Sequence, residues 1–157
     1  ILIIILIYSK HLYISKCFGS KVWTHSEKAI AANASAVREW DSNGTVFGYN
    51  PNIKGHDAGE FGHNDFYPVV IAACQNNSKF SGQDALKAMI LLDEIRGRLC
   101  EVFSLKSYKI DHVVHGAIAS AAVYGAMLGA TQTRSSTPLE LLLHIIFNGE
   151  PFELEPS

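Results

Sequence analysis

The chain has 157 residues, enough for one domain with a sizeable core or for part of a larger one. Its 13 lysines and arginines nearly balance its 15 aspartates and glutamates, and no basic run or patch occurs, which excludes nucleic-acid binding. The three cysteines, Cys17, Cys74 and Cys100, are far apart and have no Cys-x-x-Cys spacing. This spacing excludes a zinc site, an iron–sulfur site and a disulfide framework, so we predict buried free thiols.

The first eight residues are strongly apolar, and Lys10 and His11 follow almost at once. A bilayer span needs about 20 apolar residues, and a signal peptide needs a basic leader and a small-residue cleavage site. Neither pattern is found here, so we predict no membrane association and treat residues 1–18 as an apolar edge.

The first predicted helix begins near Thr24-His-Ser-Glu27, which has the pattern of a capping box. Residues at spacings of four, three and four then share one face: Ile30, Ala34, Val37 and Asp41. The three apolar members carry Asp41 towards a core, where a carboxylate is costly unless it is paired. A structural cap or ion pair fits this pattern as well as catalysis does; the nearby Thr45 and His63 favour catalysis.

A long glycine-rich loop, residues 46–64, follows, and loops of this length are usually functional or disordered. We expect Asp65 to cap a second helix over residues 66–75, with Pro68 in its first turn. His63 then lies just before a helix N-terminus, where the helix dipole favours anions. A ligand rich in carboxylates suits that position.

Two further helices are predicted over residues 81–103 and 111–128, and no period-two strand pattern of any length occurs, so the fold class is all-α. The first carries a stripe of core positions: Ala85, Ala88, Leu92, Ile95, Leu99 and Val102. Arg96 lies beside this stripe, where a solvated or structural role is expected, and Gly97 indicates close approach of a neighbour. The last helix is rich in small residues and should be the most buried element. His112 in its first turn is, taken alone, more typical of a structural residue than of a catalyst.

Several of these segments resemble the MmgE/PrpD family, whose members include 2-methylcitrate dehydratase and cis-aconitate decarboxylase. The most specific are Ala36-Val-Arg-Glu-Trp-Asp-Ser-Asn-Gly-Thr45 and Gly59-Glu-Phe-Gly-His-Asn-Asp-Phe-Tyr-Pro68, which are most similar to the mitochondrial 2-methylcitrate dehydratases of fungi. The similarity covers roughly residues 20–131 in unbroken order, which makes chance unlikely. It implies the helical-bundle portion of the family's large domain, without the smaller α/β domain and its site lysines.

The resemblance also implies the site, because it maps Asp41, Thr45, His63 and His112 onto site positions. His63 is expected to transfer a proton or bind a carboxylate, Asp41 to orient it or act as base, and Thr45 to form hydrogen bonds. Many relatives have Asp-Phe-x-Asp-Thr where this chain has Asp41-Ser-Asn-Gly-Thr45, and the loop before His63 is longer here. Both differences bear on loop geometry and therefore on substrate choice.

The implied activity is elimination of water from a tricarboxylate in the 2-methylcitrate cycle of propionate catabolism, with no metal or organic cofactor. The implied partner is the small-molecule substrate, and the implied state is a homodimer of the full-length protein in the mitochondrial matrix. A cis-aconitate decarboxylase or another small-acid lyase is the alternative within the family, and a non-catalytic helical remnant is the alternative outside it. The segment alone is expected to lack turnover.

The resemblance divides the chain into residues 1–18, which are not native to the family, residues 19–131, and a divergent tail, 132–157. The tail contains Glu150-Pro-Phe-Glu-Leu154. The same nucleotides, read one base apart, can encode the Arg-Ala-Ile-Arg-Ala that relatives have there. We therefore interpret the tail as out of frame.

Overall fold

The computed structural model describes residues 13–39, 44–57, 59–62 and 64–129. This part of the chain contains four α-helices, two antiparallel ribbons of two strands each and two 3₁₀ turns. In chain order the elements are β1 Ile14–Lys16, β2 Trp23–His25, α1 Ser26–Arg38, β3 Thr45–Phe47, β4 Glu60–Gly62, a 3₁₀ turn Asn64–Phe66, α2 Tyr67–Asn76, α3 Gly82–Val102, a 3₁₀ turn Leu105–Tyr108 and α4 Val113–Met127.

The fold is mostly helical, but the all-α prediction was wrong in detail because two ribbons are present: β1 pairs with β2 and β3 pairs with β4. Each strand has only three residues, which is too short to show a period-two pattern in the sequence. These ribbons are defined by pairing between separate segments, with residues 17–22 between the strands of the first ribbon and residues 48–59 between those of the second. Their existence could not be read from either strand alone.

The helix ends test the predicted capping residues. Ser81 and Asp84 form a capping box at the start of α3, since each side chain accepts a hydrogen bond from the other residue's backbone amide. The capping box predicted at Thr24 was wrong, because Thr24 pairs with Ser15 in the first ribbon and His25 precedes α1 without a side-chain cap.

Two clusters of buried side chains form the core, and α2 contributes to both. The first cluster joins α1, α2 and α4 through Ile30, Val69, Ala72, Ala73 and Tyr124. The second joins the Asn64–Phe66 turn, α2, α3 and α4 through Phe66, Val70, Leu92, Ala119 and Val123. Helix α4 is the most buried of the described helices, with 8 of its 15 residues buried, which confirms the prediction for this helix. None of the described helices is both long and apolar enough to cross a membrane.

The glycine-rich loop before β4 is held against the connection between α3 and α4. The hydroxyl of Ser104 donates to the carbonyl of Gly55 at 2.5 Å, and Lys106 Nζ donates to the carbonyl of Gly59 at 2.7 Å. His56 is buried, and its Nε2 lies 3.0 Å from the carbonyl oxygen of Cys100. The described part of this loop is therefore a packed element that fixes the start of β4.

Candidate active site

A cleft of about 270 Å³ lies where α1, the Asn64–Phe66 turn and the beginning of α4 meet. Its walls are mainly apolar, with a polar group at one side: Ile30, Ala34, Phe66, Val69 and Val113, with Ser35, Arg38 and Asp65. An apolar cavity with a few convergent polar groups is the usual form of a small-molecule site. The cleft is therefore the candidate site of the described structure.

The polar side of the cleft is an ion pair between Arg38 and Asp65. Arg38 is in the last turn of α1, and its Nη1 donates to Asp65 Oδ2 at 2.9 Å. Asp65 is nearly buried, and its Oδ1 has no hydrogen-bond partner among the described residues. The expected helix-capping role of Asp65 was wrong, because α2 begins after Phe66 with no side-chain cap, and the carboxylate turns to Arg38 instead.

Two of the four predicted site residues lie within the described structure. Thr45 is exposed on β3, opposite Gly62 in the ribbon, and it is not among the residues that line the cleft. His112 is half-buried directly before α4, with its Nδ1 3.2 Å from Asp111 Oδ1. That aspartate oxygen also accepts a hydrogen bond from the amide of Val113 at 3.0 Å, but the residue at the N-cap of α4 is His112, which has no side-chain cap; the cap expected from an aspartate at residue 111 was therefore wrong.

The other two, Asp41 and His63, lie outside the described residues. Their role as site residues, and their closeness to Thr45, stay a prediction. The structure does describe residues that are close to them in the sequence. Arg38 precedes Asp41 by three residues, and Asp65 follows His63 by two.

A second polar cluster lies behind the cleft and centres on Arg96 of α3. Its side chain is only 3% exposed, and its Nη1 donates to Asp93 Oδ1 at 3.1 Å. Asp93 also accepts a hydrogen bond from the hydroxyl of Tyr67. Burial of Tyr67, together with that hydrogen bond, raises the pKa of its hydroxyl to about 12. The guanidinium lies over the rings of Phe47 and Phe66.

Sequence reasoning did not assign a site role to Arg38, Asp65 or Arg96. A signal for Arg96 was available, because Leu92, Arg96 and Cys100 recur every four residues and are all buried. Arg38 likewise follows Ile30 and Ala34 at spacings of four, on the face that lines the cleft. The described residues contain no group of three or more histidine, cysteine, aspartate or glutamate side chains arranged to hold a metal ion.

A model of the MmgE/PrpD N-terminal domain matches residues 13–139, a range that contains every residue the structure describes. The chain belongs to the MmgE/PrpD family. This is a family of dehydratase-like enzymes that includes hydro-lyases, so its general class of activity is that of a lyase. Searches of curated proteins and of solved structures each gave no match.

Proposed function

We propose that this MmgE/PrpD chain is part of a hydro-lyase that removes water from 2-methylcitrate, and that the cleft is part of its substrate site. One observation carries the proposal: three of the segments that line the cleft are the sequence neighbours of predicted site residues. Arg38 is near Asp41 in the sequence, Asp65 is near His63, and Val113 directly follows His112.

The polar side of the cleft matches the chemistry of a polycarboxylate. The planar guanidinium of Arg38 offers donors in the geometry of a carboxylate, and Asp65 holds it in place at 2.9 Å. The apolar wall, which includes Ile30 and Val69, suits the methyl group that distinguishes 2-methylcitrate from citrate.

The reaction itself needs one base and one acid. The base removes a proton from the carbon next to a carboxylate, the electron pair forms the new double bond, and the acid protonates the departing hydroxyl group as water. We assign proton transfer or carboxylate binding to His63, orientation or the base role to Asp41, and hydrogen bonding to Thr45. His112 completes the proposed set, and no metal or organic cofactor is required.

The setting of this activity is proposed from the resemblance of residues 36–45 and 59–68 to mitochondrial enzymes. It comprises propionate catabolism in the mitochondrial matrix, a tricarboxylate substrate as the small-molecule partner, and a homodimer of the full-length protein. The boundaries at residues 18 and 131 belong to the same proposal. Residues 1–12 and 132–157 lie outside the described structure.

The test is calorimetric titration of the chain with 2-methylcitrate and with cis-aconitate. We expect 2-methylcitrate to bind more tightly, and Arg38→Met to weaken binding by about tenfold or more because a charged hydrogen bond is lost. His112→Ala should also weaken binding. Arg98→Met removes an arginine whose side chain is 71% exposed on α3, outside the cleft, and should bind as the wild type does.

The other outcomes separate the alternatives. Tighter binding of cis-aconitate favours the decarboxylase of the same family. Equal affinity of the wild type and of Arg38→Met contradicts the assignment of the cleft. Failure of both ligands to bind favours the non-catalytic helical remnant.

A further inference from the structure

Arg96 is a buried cation that touches two segments of the candidate site at once. Its guanidinium carbon lies 5.4 Å from the centre of the Phe47 ring and 4.6 Å from the centre of the Phe66 ring. Phe47 follows Thr45 by two residues on β3, and Phe66 lines the cleft. Arg96 therefore connects the strand that carries Thr45 to the wall of the cleft.

The guanidinium is itself held in a fixed orientation. Asp93 accepts a hydrogen bond from Arg96 at 3.1 Å and a second from the hydroxyl of Tyr67, which begins α2. Burial lowers the pKa of Arg96, while the carboxylates of Asp93 and Asp65 raise it, and arginine stays protonated at neutral pH. A planar cation fixed by a carboxylate can stack on aromatic rings in a way that the ammonium group of lysine cannot.

The ribbon that carries Thr45 depends on such an attachment. An isolated two-stranded ribbon is at best marginally stable in water, and both Thr45 and Val46 are exposed. Phe47 is the residue of β3 that packs inwards: it lies over Arg96 and also against Gly97, where an added Cβ would be 3.4 Å from the ring. At the other strand, Lys106 holds the carbonyl of Gly59 just before β4.

We propose that Arg96 is a positioning residue, which fixes the β3–β4 ribbon, and with it Thr45, against the wall of the cleft without touching the substrate. The proposal rests on the function proposed above for the role of Thr45. It deepens that function, because it assigns the geometry of the site to a residue outside the cleft.

The test is amide hydrogen exchange on the whole chain, with Arg96→Lys compared with Arg98→Lys. Lysine keeps the positive charge but loses the planar stacking and the fork geometry, so exchange in β3 and β4 should rise by about tenfold. Exchange in β1 and β2 should stay as in the wild type. Arg98 is on the same helix but pairs with Glu94 at the surface, so Arg98→Lys should change neither ribbon.

A second arm of the experiment separates this proposal from the proposed function. Added 2-methylcitrate should slow exchange in β3 and β4 of the wild type and of Arg98→Lys, but not of Arg96→Lys. If the ligand binds none of the three proteins, the proposed function fails, and the ligand-free comparison still decides whether Arg96 holds the ribbon. An equal rise in both ribbons, or no rise in β3 and β4, overturns the positioning role.

If circular dichroism shows that Arg96→Lys does not fold, Phe47→Leu replaces it. This variant keeps the pair between Arg96 and Asp93 and removes only the ring on the ribbon side. It should raise exchange in β3 and β4 in the same selective way. Unchanged exchange in this folded variant contradicts the proposal.

Discussion

Two arginines on α3, two residues apart, have opposite environments, and the reason is helical phase. Arg96 shares a face with Leu92 and Cys100 and is buried, whereas Arg98 is exposed and pairs with Glu94 at 2.8 Å. A pair of exposed ions contributes at most about 1 kcal/mol, but a buried arginine must be satisfied by its neighbours. The type of residue alone therefore says little about its role.

Tyr67 gives a residue-scale prediction on pH dependence. The pKa values of Tyr67 and Tyr124 are both raised to about 12 by burial, so these two tyrosines should ionise late in an ultraviolet titration. Tyr67→Phe should leave one late tyrosine. The control Tyr108→Phe removes an exposed tyrosine and should leave the late ionisation of Tyr67 and Tyr124 unchanged. A Tyr67→Phe titration that still contains two late tyrosines contradicts the hydrogen bond to Asp93.

The same shift has a consequence for stability. The folded-state pKa of Tyr67 is above the ordinary value of 10.0, so its contribution to stability is fully present below pH 10 and is lost as the pH rises towards about 12. The loss of stability over this range, measured by denaturant unfolding, should be smaller in Tyr67→Phe than in the wild type.

At the scale of elements, small residues on α4 allow close packing against the turn that lines the cleft. Gly116 is buried on α4, and a Cβ built there would overlap the ring of Phe66. Phe66 also contacts Arg96 and lines the cleft. The packing of α4 against this ring therefore affects the position of the cleft wall. The small-residue character of α4, visible in the sequence, is here explained by helix packing.

Gly116→Ala should therefore destabilise the fold by about 1–3 kcal/mol, the usual cost of overpacking a core. The control is Gly82→Ala at the start of α3, where an added Cβ meets nothing within 4 Å. This control should be neutral or stabilising by up to about 1 kcal/mol. Urea unfolding measures both, and equal stability of the two variants contradicts the predicted clash with Phe66.

For the described molecule as a whole, the two core clusters are joined through α2 and through Met127. Adjacent residues of α2 point to different clusters, since Val69 belongs to the first and Val70 to the second. Met127 at the end of α4 packs against both. Removal of a buried side chain from one cluster should therefore lower the stability of the whole described core.

Leu92→Ala tests this arrangement against Leu91→Ala, its neighbour on α3. Leu92 is fully buried in the second cluster, so the substitution should cost about 2–5 kcal/mol of the free energy of unfolding. Leu91 is 49% exposed, and its replacement should cost about 1 kcal/mol or less. Denaturant unfolding followed by circular dichroism measures both. Similar costs at the two positions contradict the assigned orientation of α3.

Several features of this protein were determined by local sequence. Apolar spacing and Pro68 predicted three helices over residues 66–75, 81–103 and 111–128, and the structure has them at Tyr67–Asn76, Gly82–Val102 and Val113–Met127. These signals act within one or two turns of helix, so they need no knowledge of the fold. The family was also recognisable from ordered motifs.

Only the tertiary structure decided the rest. The ion pair between Arg38 and Asp65 joins residues 27 positions apart, and Arg96 is enclosed by rings from two other segments. Both ribbons likewise join separate segments, which moved Thr24 from a helix cap into a strand. Such contacts depend on which segments of the chain pack together in the folded protein. A local sequence pattern carries no information on this packing.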